Sequence, residues 1–153
     1  MLDWLDIIAR LGSAALIGGI IGLNRDLHHK PSGLRTLSLV GLGAALVVLV
    51  TTDGATDPNA TSRVLQGIIT GVGFLGAGVI VHEAATAKVR GLTTAAAIWV
   101  TACLGSACGL GNWRIAVVAC AIVGLILVFG GRFERAVHLR FARDDKMSDD
   151  EAV

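Results

Sequence analysis

Charge is scarce in this chain of 153 residues. Only 16% of its residues are Asp, Glu, Lys or Arg, whereas an average soluble domain carries about 25%. Apolar residues make up 54% of the chain, and its mean hydropathy is +0.71. A soluble protein of this size needs a charged shell that this composition does not supply. The composition therefore excludes an ordinary soluble domain and predicts a membrane protein.

Catalytic and nucleotide-binding motifs are also missing. The sequence has no Gly-rich phosphate loop ending in Lys-Ser/Thr, and no catalytic triad or zinc motif can be assembled from it. Its three cysteines, Cys103, Cys108 and Cys120, lack metal-ligand spacing and are predicted to be small apolar helix residues. These absences and the size of the chain exclude an ATP-driven pump. They predict a protein that is not an enzyme and has no resident cofactor, with Mg²⁺ left open as a ligand or a transported ion.

Five long stretches are almost free of charge, and only Arg10 interrupts the first of them. The stretches are 7–23, 36–52, 64–81, 92–110 and 115–131. Each is close to the roughly 20 residues that a helix needs to cross a hydrocarbon core about 30 Å thick. Backbone groups in lipid must bond internally, which favours helices. The sequence thus predicts an all-α integral membrane protein with five transmembrane helices.

The membrane domain is predicted to cover residues 1–131, and a basic, then acidic tail follows at 132–153. The opening residues "MLDWLD" carry no basic region of the kind that starts a signal peptide. The first apolar stretch is therefore predicted to be a retained span.

The distribution of lysine and arginine predicts the orientation. Ten of these residues lie in the loops 24–35 and 82–91 and in the tail after 131, whereas the opposite loops hold only Arg63 and Arg114. The positive-inside rule then places the N-terminus outside and the C-terminus in the cytoplasm. Trp4 and Trp113 fall at the outer boundary, where interfacial aromatic residues are expected.

Small residues recur inside the spans, most densely in "GVGFLGAGVIV" at 71–81. Lipid tails are as apolar as the helices, so helix association in a bilayer depends on close contact that small residues permit. The predicted helix-packing residues are Gly18, Gly22, Gly67, Gly71, Gly73, Gly76, Gly78 and Gly105. Five helices offer few internal partners for so much small surface, and we therefore expect a homodimer.

Polar side chains near the spans form a predicted functional constellation, since polar groups in membrane segments are costly. Its members are Asn24, Arg25, Arg35, Thr36, Gln66, Thr70, Glu83, Arg90, Thr93 and Thr94. Four of them would share one narrow cytoplasmic rim that binds an anion, a lipid head group or an acidic partner helix; the four are Arg25, Arg35, Arg90 and Glu83. Two structural alternatives stay open: the arginines reach lipid phosphates, and the threonines cap helices or bond back to helix carbonyls.

Four segments together resemble the MgtC/SapB family of bacterial inner-membrane proteins. They are "LIGGIIGLNRD" at 16–26, "PSGLRTLSLVGLGAAL" at 31–46, "SRVLQGIITGVGFLGAGVIV" at 62–81 and "VRGLTTAAAIWVTACLGSACGLG" at 89–111. The "GVGFLGAGVI" and "RGLTTAA" blocks are the specific ones. Arg25, Arg35, Gln66, Arg90, Thr93 and Thr94 match recurring polar positions of the family.

The resemblance implies a multi-pass inner-membrane protein of magnesium homeostasis, in a family also associated with virulence. It implies a non-enzymatic regulator of membrane partners such as an ion-motive ATPase, with no nucleic acid involved. The alternative is a homo-oligomeric transporter or channel for Mg²⁺ or another ion. A magnesium path usually needs carboxylate oxygens, and the last four predicted spans contain no Asp or Glu.

Two departures from the family pattern stand out. Asn24 occupies a position where the family leads us to expect glutamate, which removes a carboxylate next to Arg25. The sequence also stops about twenty residues after the last span, as in the shorter family members without a soluble C-terminal domain.

Overall fold

The computed structural model describes residues 2–53, 58–83 and 88–150, and it describes side chains within them except at 58, 81–88 and 132–150. Its helices are α1 (Trp4–Leu27), α2 (Leu34–Thr52), α3 (Pro58–Gly78), α4 (Leu92–Gly109) and α5 (Trp113–Asp150). Two short strands, β1 (Val81–Glu83) and β2 (Lys88–Arg90), lie between α3 and α4. The predicted all-helical fold is confirmed, apart from this hairpin.

The hairpin replaces the loop that the sequence predicted. Its strands pair antiparallel, with Val81 opposite Arg90. The predicted third helix is therefore wrong at its C-terminal end, because α3 stops at Gly78 and Val81 belongs to a strand. Hydropathy identifies an apolar run but does not distinguish the last turn of a helix from a three-residue strand.

Four helices in the described part of the chain are long and apolar enough to cross a membrane: α1, α2, α4 and residues 113–131 of α5. The helix α3 is not among them, although it has 21 residues. It begins with the polar segment 58–63 and ends before the apolar residues Ile80 and Val81. The membrane character of the chain is clear from the other four.

Helices α1, α2 and α4 form the centre of the bundle. Helix α1 runs antiparallel to α2, because Gly18 faces Leu37 whereas Ala14 faces Gly41. Helix α4 runs parallel to α2, since Gly105 faces Gly41 and Gly109 faces Ala45. The largest fully buried side chains are Leu37, Val48, Thr101 and Cys108. Glycine and alanine fill much of the remaining core, so the helix backbones lie very close together.

Several glycines of this centre allow direct backbone contact. A Cβ at Gly18 would meet the Leu37 carbonyl oxygen, and a Cβ at Gly105 would meet that of Gly41. A Cβ at Gly22 would lie 2.6 Å from the Leu34 Cα atom. Only glycine permits these approaches.

Helix α3 makes lighter contacts. It packs on α4 where a Cβ at Gly76 would lie 3.5 Å from the Ala95 Cβ atom, an ordinary contact distance. At four other glycines a Cβ would have no described atom within 4 Å; these are Gly67, Gly71, Gly73 and Gly78. Packing at these four glycines requires a partner outside the described chain, so their role stays a prediction.

The chain divides into two compact units at Cys120 and Ala121. The first unit contains the bundle and the start of α5, where Ala116 joins a buried cluster with Ala14, Ala45 and Cys108. The second unit consists of the rest of α5, which stays helical through Asp150. The helix thus continues beyond residue 131, where the predicted fifth span ends.

Large apolar side chains cover the outside of the molecule. Phe74 is 82% exposed, Leu16 65% and Val117 64%. Exposed apolar surface on this scale suits a hydrocarbon environment.

Candidate functional site

A buried arginine connects three parts of the chain at one end of the bundle. Arg25, in the last turn of α1, is only 3% exposed. Its Nη2 donates to Thr94 Oγ1 at 2.5 Å and to the Pro31 carbonyl at 2.9 Å. Its Nε donates to the carbonyls of Pro31 at 3.2 Å and Ser32 at 3.3 Å. We call Arg25, Pro31, Ser32 and Thr94 the Arg25 cluster.

The connection between α1 and α2 explains how the two carbonyls reach Arg25. It is tight, with His29 at φ 51° and Ser32 at φ 61° in the left-handed region. Gly33 caps α2 without a side chain, and Asp26 replaces the missing cap by accepting from the Leu34 amide at 2.9 Å. A Cβ at Gly33 would overlap the Asp26 carboxylate. Asp26 is thus committed to the start of α2.

The start of α4 positions Thr94. Gly91 precedes α4 with φ 95°, a left-handed conformation that costs other residues about 1–2 kcal/mol. A Cβ there would also meet the Val79 carbonyl oxygen. The glycine therefore lets the chain leave β2 and enter α4 beside the end of α3, with Thr94 buried in the first turn.

The positive charge of Arg25 is not neutralised by any side chain that the structure describes, because its acceptors are the uncharged oxygens of Pro31, Ser32 and Thr94. Hydrogen bonds from a charged donor are strong, about 1.5–3 kcal/mol each. They satisfy the hydrogen-bonding capacity of the guanidinium group, but its net positive charge remains. The cluster therefore combines a rigid connection between helices with a positive potential at this end of the bundle.

The predicted constellation separates into three groups. Arg25 and Thr94 are in direct contact. Four members are exposed at the helix starts or the hairpin of the same end, and Asn24 is half-buried beside them; the four are Arg35, Thr36, Arg90 and Thr93. Gln66 and Thr70 lie on the exposed side of α3, where Thr70 Oγ1 donates to the Gln66 carbonyl at 2.9 Å.

Glu83 belongs to β1, where its backbone lies opposite Lys88. The Glu83 side chain lies outside the described residues, as do the basic side chains of the tail.

Sequence reasoning missed a second polar group at the opposite end of the bundle. Arg10 pairs with Asp6 at 2.9 Å, and its Nη1 donates to the Gly109 carbonyl at 2.9 Å, at the end of α4. Arg10 Nε is buried without a partner among the described residues. The signal was present in the sequence, since a carboxylate four residues before an arginine on a helix forms a side-chain pair.

Metal ligands do not gather in the described residues. No three of their His, Cys, Asp or Glu side chains lie close enough together to hold an ion. The Arg25 cluster therefore holds a buried cation among neutral oxygens, whose charge acts through its potential and not through direct contact with an anionic group.

Comparison with known proteins gives a consistent result. A model of the MgtC family matches residues 11–136. Protein SrpB of Synechococcus elongatus is 43% identical over 149 residues, which cover 90% of this chain and 82% of SrpB. Protein MgtC of Salmonella typhimurium is 42% identical over 116 residues, covering 76% of this chain and 48% of that protein. Protein MgtC of Brucella abortus is 44% identical over 115 residues, covering 75% and 47%.

The chain therefore spans about half the length of these two MgtC proteins and most of the length of SrpB. No solved structure matches it.

Proposed function

Because the chain belongs to the MgtC family of membrane proteins, we propose that it regulates a membrane partner during adaptation to low magnesium. It acts without enzymatic chemistry, in the bacterial inner membrane. The contact surface is the basic rim, which we define as the exposed residues Arg35 and Arg90. The buried Arg25 cluster holds this end of the bundle in place. The partner class that the family resemblance implies is an ion-motive ATPase.

The close packing of α1, α2 and α4 is the observation that carries this proposal. Glycines bring the three backbones together along the centre of the bundle, for example at Gly18 and Leu37 and at Gly105 and Gly41. This leaves little room for an ion between these helices. The polar pair Gln66 and Thr70, which a transport path would use, is exposed on α3 instead. A monomeric channel through the described bundle is therefore disfavoured.

We also propose five membrane spans, with the N-terminus outside and the C-terminus in the cytoplasm. Helices α2 and α4 are parallel, so the chain between them must return across the same distance. The 21 residues of α3 measure about 31 Å at 1.5 Å per residue, close to the hydrocarbon thickness of about 30 Å. The excess of lysine and arginine around the Arg25 end supports a cytoplasmic position for that end.

The alternative function, ion transport by a homo-oligomer, is favoured by one observation. The exposed side of α3 carries Gln66, Thr70 and Phe74 at four-residue spacing, with Gly67 and Gly71 alongside. A second copy that met this side would bring two sets of amide and hydroxyl groups together. A polar path would then run between protomers, with Mg²⁺ or another ion as its substrate.

Self-association through this side of α3 is testable by cross-linking. In a cysteine-free variant, we expect Phe74→Cys to form a disulfide-linked dimer on mild oxidation of native membranes. The physical reason is that the Gln66 amide faces hydrocarbon, and an interhelical hydrogen bond in lipid contributes about 1–2 kcal/mol in model peptides. Leu16→Cys on α1 is the matched control, because it is also a well-exposed apolar position. Equal yields from both variants, or monomer alone, would contradict the proposed dimer.

The regulatory role is testable at the basic rim. In a strain that depends on this protein at low magnesium, we expect Arg35→Gln or Arg90→Gln to reduce growth to that of the strain lacking it. Both side chains are exposed, and replacing Arg35 should change the free energy of unfolding by no more than about 0.5 kcal/mol. Immunoblots should show normal levels of both variants. Lys30→Gln is the control, since it removes an exposed positive charge from the same end without touching the proposed contact residues.

A flux assay separates the two functions. Purified protein is placed in liposomes that contain a magnesium indicator. We expect no flux above empty vesicles from protein that still supports growth. Saturable flux that disappears in Gln66→Leu would instead establish the transporter. Full growth of the Arg35→Gln and Arg90→Gln variants would contradict a role for the basic rim.

A further inference from the structure

A groove between α3 and α4 lies apart from the Arg25 cluster. The two helices touch near Gly76 and Ala95 and leave a cavity of about 230 Å³ towards the turn between α4 and α5. The side chains along its walls are mostly apolar and include Leu65, Ile68, Val72, Trp99, Cys103 and Leu110. The Ser106 hydroxyl also lines it, but donates to the Ala102 carbonyl at 2.9 Å. The groove therefore suits a hydrocarbon ligand.

Its dimensions indicate what kind of hydrocarbon fits. From Trp99 to Leu110 the wall follows α4 and its cap residue for about 16 Å, at 1.5 Å per residue. One leaflet of a bilayer has a hydrocarbon depth of about 15 Å, half of the full core. An apolar cavity of about 150 Å³ already binds benzene, and a transmembrane helix about 10–12 Å wide is too thick for this space. A single acyl chain matches this length, and it is narrow enough to lie in a groove of this size.

The charge at the mouth of the groove indicates the head group. Asn112 and Ile115 line this end, and the exposed Arg114 lies between them in sequence at the start of α5. The first turn of α5 contains no acidic residue. Trp113, 38% exposed, is typical of the membrane–water boundary, where lipid phosphates lie. A cation in this position complements a negatively charged head group.

We propose that the α3–α4 groove is a binding site for an anionic phospholipid. One acyl chain lies between residues 65–72 of α3 and the wall formed by α4 from Trp99 onward and its cap residue Leu110, and the phosphate pairs with Arg114. The bound lipid holds α3 against the bundle, where the protein's own contacts are sparse. This site is distinct from the basic rim, and it does not depend on the regulatory role.

Native mass spectrometry of the purified full chain tests the site, with phosphatidylglycerol and phosphatidylcholine as probes. We expect unmodified protein to retain phosphatidylglycerol about fivefold better than phosphatidylcholine, as one basic residue at a membrane surface implies. Arg114→Gln should abolish this preference. Cys103→Phe, which fills the groove, should reduce retention of both lipids about tenfold, equivalent to about 1.4 kcal/mol.

The matched control is Val118→Phe, which adds the same ring at an exposed position of α5 outside the groove. It should retain lipid like the unmodified protein. Equal retention by Cys103→Phe and Val118→Phe would overturn the acyl-chain site. An unchanged phosphatidylglycerol preference in Arg114→Gln would overturn the head-group assignment.

A second measurement avoids any effect of the substitutions on folding. Unmodified protein is irradiated with a phosphatidylglycerol that carries a diazirine in its acyl chain. We expect cross-links to concentrate in residues 65–72 and 99–110. Labelling that is no stronger there than on the exposed side of α3, around Phe74, would reject the proposal.

Discussion

Replacing Gly105 by alanine should destabilise the protein by about 3 kcal/mol, at the upper end of the usual range for overpacking. The added methyl group would overlap the Gly41 carbonyl oxygen and lie 2.9 Å from its carbon. Both obstacles are backbone atoms, so no side chain can rotate away. The helices α2 and α4 must separate instead, and Gly41 has little room to yield, because its own Cβ position lies 2.6 Å from the Ala14 carbonyl oxygen.

The measurement is thermal unfolding in detergent, followed by fluorescence-detected size exclusion. A loss of 3 kcal/mol corresponds to a decrease of about 6–12 °C in the melting temperature of a chain this long. Gly43→Ala on α2 is the matched control, since no atom of another described segment lies within 4 Å of its Cβ position. That variant should be neutral or gain up to about 1 kcal/mol from helix propensity. Equal melting temperatures for the two variants would show that the close approach of α2 and α4 is not rigid.

The glycine pairs of α1 and α3 show how far the sequence predicts helix packing. Small residues at four-residue spacing predict that a helix has a contact side, and Gly18 and Gly22 do lie against a neighbouring backbone. The pair Gly67 and Gly71 has the same spacing but no described neighbour. Spacing reports what a helix surface permits, whereas the presence of a partner depends on how the other helices are arranged.

Helix boundaries are predictable to a similar extent. The apolar runs 36–52 and 92–110 nearly coincide with α2 and α4, because those helices are bounded by glycine or polar residues. For α3 the prediction is shifted, since the helix begins in a polar segment at Pro58. Proline is favoured at the first helical position, and hydropathy does not register this signal. The three-residue strands β1 and β2 are too short for any periodicity to reveal.

Arg25 illustrates the limit for the candidate site. Its position directly after an apolar run predicted a polar group at the membrane boundary, and the family resemblance identified Arg25 and Thr94 separately. Their contact spans 69 positions in sequence, and no local pattern encodes it. The burial of Arg25 depends on the left-handed residues His29 and Ser32, which bring two carbonyls back towards α1.

Replacing Thr94 by valine should therefore cost about 1–2 kcal/mol, because the isosteric change removes one acceptor of a charged hydrogen bond. Replacing Arg25 by methionine should cost more, about 3 kcal/mol, since it removes the connection from α1 to both α4 and the 31–32 carbonyls. Hydrogen exchange should show the second variant releasing residues 28–34. It should also lose the low-magnesium phenotype, because the rim would no longer be held in place.

A double-mutant cycle decides whether Arg25 and Thr94 act as one unit. If they do, the cost of the combined variant falls short of the sum of the single costs by about 1 kcal/mol, as expected for residues in contact. Thr93→Val is the matched control, since Thr93 is exposed one position earlier and should change stability by no more than about 0.5 kcal/mol. Additive costs, or a Thr94→Val variant as stable as Thr93→Val, would mean that the buried charge is held by the loop carbonyls alone. In that case the glycine contacts with α2 would position α4, and the basic rim could move independently of α4.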